Sequence, residues 1–141
     1  MEPKKILKGL QKHMEYTDAE MEIFCSDPAK VKMVTETPAF VKTRVVAEVI
    51  DSHGCHCKHR VGDKFVMTAG GQLLTDQCPK GICLSALAPI SRIMPTIYDR
   101  LISGSDPNFE RSNVVQCEDV GLDKGGWGKI LMKVYVEKFS E

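Results

Sequence analysis

The sequence predicts an α+β protein with a small, mostly antiparallel sheet, one long kinked helix across a face of that sheet, and a helical N-terminal segment. Three observations predict this class. The first forty residues carry helical spacing and helix caps. The segments that follow Thr43 are rich in β-branched residues or alternate apolar with polar ones. Residues 82–102 carry the apolar stripe of a long buried helix.

Three helices are expected in the N-terminal segment. Residues 3–14 carry apolar side chains at helical spacing, namely Ile6, Leu7, Leu10 and Met14. Thr17 and Glu20 form a T-x-x-E capping box that opens a second helix, and Asp27 before Pro28 opens a third that runs to about Thr35. We therefore expect a helical lead-in at residues 1–40 and an α+β core at residues 41–141, which together form a single domain.

The core is expected to contain four main strands, at residues 43–50, 64–68, 114–117 and 129–139, with a turn at residues 69–72 that returns through Leu73 and Leu74. The last strand alternates Ile130, Met132, Val134 and Val136 with more polar residues. Pro89 and Pro95 should kink or divide the long helix, because each removes a backbone donor.

Composition excludes some functional classes. Nineteen basic and nineteen acidic residues give a formal net charge of zero, with no run of like charge, so the sequence disfavours nucleic-acid binding. No apolar run approaches the roughly 18 residues of a membrane span. We expect a cytoplasmic protein whose six cysteines are thiols rather than disulfides. Cys25 lies in an apolar context and is expected to pack in a core.

The candidate chemistry is concentrated between His53 and Cys83. This stretch of 31 residues holds three histidines and four cysteines, namely His53, His56, His59, Cys55, Cys57, Cys78 and Cys83. Thiolate and imidazole are ligands for zinc, iron and other borderline or soft metals. One loop could supply Cys55, His59 and Cys57, and a cysteine at the helix start could close the site. His53 and His56 are the weaker candidates.

Cys78 and Cys83 lie at the predicted start of the long helix, where unpaired N–H groups favour a thiolate. Cys83 is therefore either a ligand or nucleophile, or a packed residue on the apolar stripe. Asp63 either accepts hydrogen bonds from a turn or acts as a general base near a metal-bound water. Trp127 either stacks on a flat ligand or covers the edge of the core.

Several motifs resemble one family of small cysteine-containing proteins that occurs mainly in anaerobic bacteria and archaea. The likeness covers about residues 43–138. It rests on His59-Arg60-Val61-Gly62-Asp63-Lys64-Phe65, on Cys55, on Ile82-Cys83, and on Cys117-Glu118-Asp119. The resemblance implies Cys55, His59, Cys83 and Cys117 as a convergent set, with Asp63, and with Cys78 as a subgroup match. Lys58 and Leu84 depart from the family pattern, and Cys57 has no counterpart in it.

Three functions are compatible with these patterns. The first is a metal-binding protein, holding an iron–sulfur cluster, zinc or iron, with a redox or metal-assisted role alongside an anaerobic pathway enzyme. Its ligands would be Cys55, His59, Cys78, Cys83 and Cys117. The second is a metal-free thiol redox enzyme in which Cys83 reacts and Cys78 resolves. The third is a non-catalytic assembly module with structural zinc. A protein partner, or self-association through the N-terminal helices, is expected in addition.

Overall fold

The computed structural model describes residues 2–36, 42–109 and 111–138. The chain divides into two compact units, Met1–Lys42 and Thr43–Glu141. Each is described by itself below. No helix in the described part of the chain is long and apolar enough to cross a membrane.

The N-terminal unit consists of three short helices, α1 (Pro3–Met14), α2 (Asp18–Cys25) and α3 (Pro28–Thr35). The capping box at α2 is present: Thr17 Oγ1 accepts the Glu20 N–H at 3.2 Å, and the Glu20 carboxylate accepts the Thr17 N–H at 2.7 Å. The predicted helical lead-in is confirmed. The expectation that Cys25 packs in a core is wrong, because its side chain lies on an exposed face of α2.

The second unit contains a four-stranded antiparallel sheet in the order β2-β1-β4-β3. The strands are β1 (Thr43–His53), β2 (Lys64–Thr68), β3 (Val114–Gln116) and β4 (Lys129–Lys138). The predicted sheet is confirmed. The return through Leu73 is only a single bridge to Met67, followed by a 3₁₀ turn at Thr75–Gln77. The predicted last residue of β4, Phe139, lies outside the described residues.

One long helix, α4 (Leu84–Ser103), packs its apolar stripe on one face of this sheet. The alternation predicted for the last strand is confirmed, because the four apolar positions that define it in β4 are all buried. Helix and sheet share one core, which contains Val45, Ala47, Val49, Phe65, Ala86, Ile90, Met94, Ile97, Ile130, Met132 and Val134. The sheet and the helix therefore form a two-layer α+β unit.

Pro89 and Pro95 lie inside α4, which is continuous through both of them. The alternative that the prolines divide the helix is wrong. Proline at position 89 cannot donate to the carbonyl of Ser85, four residues earlier. That carbonyl instead accepts the N–H of Glu118 at 2.9 Å. This Ser85–Glu118 hydrogen bond thus connects the start of α4 to the segment that follows β3.

Three chemistry-bearing segments meet at one end of the sheet. β1 ends at His53, which pairs with Lys129 at the start of β4. The loop after β1 closes on Val49, which donates to Asp63 O and accepts from the Gly62 N–H. The β3–β4 connection begins at the same end, and the Ser85–Glu118 bond brings the N-terminus of α4 beside it.

Candidate thiol site

A cleft of about 110 Å³ lies where these three segments meet. Four cysteines line it, Cys55 and Cys57 from the loop after β1, Cys83 from the start of α4, and Cys117 after β3. The other lining residues are His56, Ser85, Asp119, Trp127, Gly128 and Ile130. All six cysteines of the chain are free thiols. The cleft therefore concentrates thiol chemistry from positions that are far apart in the sequence.

The thiols of Cys57 and Cys83 line the same cleft, close enough for a hydrogen bond between them to shift the pKa of each. The hydrogen bond to Cys83 is the main cause that raises the pKa of Cys57, and desolvation and the nearby Cys83 and Cys55 raise it further. The proton of the pair is therefore held more strongly by Cys57 than by Cys83.

Cys83 is the N-cap residue of α4. Desolvation, the largest single influence, raises the pKa of its thiol. The Cys57 hydrogen bond, the backbone N–H groups of Ser85 and Ala86, and the Ser85 hydroxyl together outweigh that effect and lower the pKa of Cys83 below its ordinary value. The Ala86 N–H also bonds Cys83 O at 3.1 Å, so the thiol shares this donor with its own backbone carbonyl, and its place at the helix N-terminus favours the anion.

His59 is buried, with 3% of its surface exposed, and it supports the backbone of Cys83. Its Nε2 accepts the Cys83 N–H at 3.3 Å, which leaves the proton on Nδ1, facing Asp63 Oδ2 at 3.8 Å. The ring also packs edge-on against Phe65 with 5.0 Å between centroids. In this arrangement His59 positions Cys83. Its predicted role as a metal ligand stays a prediction.

Asp63 holds the turn of the same loop. Its Oδ2 accepts the Arg60 N–H at 2.9 Å, while the backbone of Asp63 pairs with Val49. These contacts correspond to the turn role considered for Asp63. The same Asp63 Oδ2 faces His59 Nδ1. The predicted role of Asp63 as a general base stays a prediction.

Cys117 and Cys55 form the inner wall of the cleft. Cys117 is buried, and its Sγ accepts the Ile130 N–H at 3.4 Å. Cys55 is partly buried and packs against the hydrophobic core. Both thiols are less accessible than Cys57, which is exposed. They line the site without forming part of the hydrogen-bonded pair.

The thiol of Cys78 does not line the cleft and instead forms hydrogen bonds with the backbone of β2. Its Sγ accepts the Val66 N–H at 3.3 Å and donates to Val66 O at 3.5 Å. The structure therefore brings Cys57 to Cys83, where the sequence had favoured Cys78 as the partner thiol.

The loop that carries Trp127 is fixed by a carboxylate. Asp119 accepts the N–H groups of Gly121 at 2.8 Å and Trp127 at 3.1 Å. These bonds, led by that of Gly121, lower the pKa of Asp119. The indole stacks on the His56 ring at 5.0 Å between centroids and remains 64% exposed. Trp127 therefore lies at the mouth of the cleft.

Two glycines allow the loops after β1 and before β4 to touch. A Cβ on Gly128 would overlap backbone atoms of His53 and Gly54, and one on Gly54 would lie 2.9 Å from Trp127 O. Gly54 also has a φ of +66°, which favours glycine. This contact places Trp127 against His56. The sequence analysis missed the contact, although Gly54 and Gly128 are visible as glycines that flank the Cys/His loop and Trp127.

The predicted metal ligands are only partly brought together. Cys55, Cys83 and Cys117 line one cleft, joined by Cys57, whereas Cys78 and His59 bond to backbone groups. Within residues 2–36, 42–109 and 111–138, no group of three or more His, Cys, Asp or Glu side chains is arranged to hold a metal ion. The thiols have the chemistry of a soft-metal site, but their present arrangement is that of a pair with two flanking thiols.

Comparisons with protein-family models, with curated proteins and with solved structures gave no match to this chain.

Proposed function

We propose that this chain is a dithiol–disulfide exchange protein in which Cys83 attacks and Cys57 resolves. One observation carries the proposal: Cys83, at the N-terminus of α4, shares a cleft with Cys57, and the pKa is lowered at Cys83 and raised at Cys57. A nucleophilic thiolate next to a protonated resolving thiol is the arrangement that two-step exchange requires. A reducing compartment such as the cytoplasm would keep the pair in its dithiol form.

The reaction proceeds in two balanced steps. The Cys83 thiolate attacks one sulfur of a substrate disulfide, which forms a mixed disulfide and releases the other sulfur as a thiolate. Cys57 then loses its proton to that leaving thiolate or to solvent, attacks Cys83 Sγ, and releases the second substrate thiol. The substrate disulfide gains two electrons, and the Cys57–Cys83 dithiol supplies them in becoming a disulfide.

Neighbouring residues support these steps. The His59 acceptor fixes the Cys83 backbone, and the α4 N-terminus stabilises its thiolate before attack. The exposed side chain of Cys57 lies on the solvent side of the pair, whereas Cys83 is partly covered. Cys57 can therefore turn toward Cys83 once a mixed disulfide has formed.

A redox titration tests the proposal. The protein is equilibrated in thiol–disulfide buffers of graded potential, the free thiols are trapped with acid and alkylated, and disulfides are mapped by mass spectrometry. We expect one reversible disulfide, Cys57–Cys83, which persists in Cys78→Ala and is lost in Cys57→Ala. A Cys78–Cys83 disulfide, or no reversible disulfide at either cysteine, would refute the proposed pair.

A bound soft metal ion, zinc, iron or an iron–sulfur cluster, is the second candidate. The observation that favours it is the convergence of four thiols from three segments on one cleft. Cys55, Cys57, Cys83 and Cys117 would hold the group, which would supply redox or Lewis-acid chemistry. Their thiols would have to converge further than they do here, and His59 and Cys78 would have to leave their backbone partners to join them.

Metal and acid-labile sulfide content of anaerobically purified protein separates the two candidates. The metal candidate predicts about one ion or cluster per chain, lost in Cys55→Ala and in Cys83→Ala. Dithiol exchange predicts that Cys55→Ala leaves the Cys57–Cys83 disulfide intact. The matched control is Cys25→Ala, which changes an exposed cysteine of the other unit.

We also propose that the N-terminal helices bind a protein partner or a second copy of this chain. None of the described residues of α1, α2 and α3 is buried, and Ile23 of α2 is 70% exposed. Helices that bury so little apolar surface gain stability from further contacts. Sedimentation equilibrium of the full chain tests self-association. A dimer that Ile23→Ser weakens is expected, and a strict monomer would leave only a different protein as the partner.

A further inference from the structure

We infer that the disulfide attacked by Cys83 belongs to a polypeptide with apolar side chains beside its cysteine, rather than to a small acidic disulfide such as glutathione disulfide. The inference rests on the proposed dithiol exchange and adds its substrate class. Three properties of the cleft carry it, namely its size, its rim and its charge.

The cleft is too small to enclose a whole substrate. Its volume is about 110 Å³, whereas pockets that enclose small-molecule ligands are commonly about 300–1,000 Å³. Only a group the size of one side chain, such as the sulfur and Cβ of a cystine, fits beside the thiol pair. The rest of the substrate must lie over the surface that surrounds the cleft, so that surface contributes to the choice of substrate.

The segments that line the cleft carry exposed apolar side chains. Leu84 directly follows Cys83 and is 82% exposed, and Trp127 lines the cleft with 64% of its surface exposed. Val120 and Leu122, in the same loop as Trp127, are 56% and 79% exposed. Exposed apolar side chains around a reactive group, with a tryptophan among them, are typical of protein contact surfaces.

The charge of the cleft is unfavourable for a carboxylate-rich substrate. Asp119 is the one ionised carboxylate among the described lining residues, and no lysine or arginine is among them. Lys129 compensates Asp119, but it does not line the cleft. Glutathione disulfide carries several carboxylates, and the cations near the cleft, Lys58 and Lys129, lie outside its lining, whereas the apolar side chains of a polypeptide can contact Leu84 and Trp127.

Single-turnover kinetics with three disulfides test the inference. The probes are a short peptide disulfide with leucine and valine beside its cysteine, a matched peptide with serine and asparagine there, and glutathione disulfide. Pre-reduced full-length protein is mixed with each, and formation of the Cys83 mixed disulfide is followed by acid trapping. We expect the apolar peptide to react roughly tenfold faster than either other probe, as contact with one large apolar side chain would allow.

Two variants locate the preference. Leu84→Ser and Trp127→Ser should each remove most of the advantage of the apolar peptide. Each rate is divided by the rate of iodoacetamide alkylation of Cys83 in the same variant, so that a change in the reactivity of the thiol itself is removed. Phe109→Ser is the matched control, because Phe109 is 80% exposed but lies beyond the far end of α4, about 30 Å of helix away.

The outcomes separate the inference from the function on which it rests. If glutathione disulfide reacts as fast as the apolar peptide, or if neither variant changes the ratio, the substrate class is wrong while dithiol exchange stands. If none of the three disulfides oxidises Cys83 although iodoacetamide alkylates it, dithiol exchange is refuted, and the inference is overturned with it.

Discussion

Cys57 and Cys83 have the same side chain, and their surroundings give them opposite shifts in pKa. Cys83 lies where first-turn N–H groups converge, so its anion is stabilised despite partial desolvation. Cys57 lies beside that anion, so its own ionisation is opposed. At the scale of the residue, the proposed assignment of Cys83 as the attacking thiol and Cys57 as the resolving thiol is based on this difference.

Removing the Cys57 thiol should make Cys83 less reactive. In Cys57→Ala the pKa of Cys83 rises toward its ordinary value, because a hydrogen bond to the thiolate is lost. Iodoacetamide alkylation of Cys83 at pH 7 should slow by roughly threefold to tenfold, the effect of one such bond in a partly exposed site. The pH profile of alkylation should move to higher pH. An unmoved profile, matching that of Cys78→Ala, would contradict the hydrogen-bonded pair.

His59 should act on Cys83 through the backbone. His59→Leu leaves the Cys83 N–H without its acceptor and should lower the free energy of unfolding by about 1–3 kcal/mol, with slower alkylation of Cys83. His59→Gln offers a side-chain oxygen as acceptor. It should recover part of the lost free energy of unfolding and part of the lost rate of Cys83 alkylation. Urea unfolding and the alkylation pH profile measure the effects. If both variants alkylate as fast as the parent protein, His59 has no positioning role.

The sequence predicted Cys83 as a candidate reactive thiol, and the partner proposed from the structure differs from the one that the sequence suggested. Cys83 was identifiable because an apolar helical stripe begins directly after it, and helix starts favour thiolates. Cys57 carried little weight because it lacks a counterpart in the family that the chain resembles. Cys78, five residues from Cys83, was the obvious partner. Its thiol instead bonds both backbone groups of Val66 in β2, a contact that depends on tertiary structure.

At the scale of the element, two glycines allow the loops that line the cleft to contact each other closely. Gly128 and Gly54 bring the β3–β4 connection against the loop after β1, and the Asp119 carboxylate fixes the conformation of that connection. The Glu118 N–H adds a bond to the carbonyl that Pro89 leaves without a helical partner. The prolines of α4 were expected to kink or divide it, and the helix is continuous through both. Because Pro89 has no N–H, the Ser85 carbonyl accepts the Glu118 N–H, and this hydrogen bond connects the helix to the loop.

A side chain at Gly128 should disrupt this loop contact. Gly128→Ala places a Cβ against backbone atoms of His53 and Gly54, which cannot move as a flexible side chain can. We expect the free energy of unfolding to fall by about 2–3 kcal/mol, as measured by urea unfolding followed through Trp127 fluorescence. Gly81→Ala is the control, since a Cβ there meets nothing within 4 Å. Equal stability of the two variants would contradict the close loop contact.

The β1–β4 pair contains a titratable hydrogen bond. Tyr135 Oη donates to Glu48 Oε1 at 2.9 Å, and desolvation, then this bond, raise the pKa of Tyr135 to about 12. Because the pKa of Tyr135 is raised in the folded state, its contribution to the free energy of unfolding is complete below the ordinary tyrosine pKa of about 10. It is lost as the pH rises toward 12.

Tyr135→Phe should therefore change the alkaline stability profile. At pH 7 the variant should be less stable by about 0.5–1 kcal/mol, and between pH 10 and pH 12 its free energy of unfolding should fall less steeply than that of the parent. Urea unfolding at graded pH measures both. Tyr16→Phe, in the other unit, is the control. Parallel profiles for parent and Tyr135→Phe would rule out this contribution.

At the scale of the whole molecule, local sequence patterns predict the fold better than the site. The capping box of α2, the alternation in β4 and the apolar stripe of α4 each depend on residues that are close together in the sequence. The structure contains all three. The cleft depends on the pairing of His53 with Lys129 and on the Ser85–Glu118 bond, which join distant segments. No local pattern specifies such contacts, so the set of converging thiols could be only partly predicted.

Oxidation should stabilise the second unit. A Cys57–Cys83 disulfide closes a loop of about 25 residues, which in the chain-entropy model adds up to about 3.5 kcal/mol to the free energy of unfolding. Urea unfolding of oxidised and reduced protein, followed through Trp127, should show the gain. Cys57→Ala should show none under the same oxidant. A loss of stability on oxidation in the parent would contradict a disulfide that fits the native structure.

The central claim is that Cys83 attacks first and Cys57 resolves, and trapping the intermediate tests it most directly. Reduced protein is mixed with a peptide disulfide, quenched with acid at successive times, and mapped by mass spectrometry. The account predicts a mixed disulfide at Cys83 that converts to Cys57–Cys83, and that accumulates in Cys57→Ser. A first adduct at Cys57, Cys78 or Cys55, or unhindered turnover in Cys57→Ser, would contradict it.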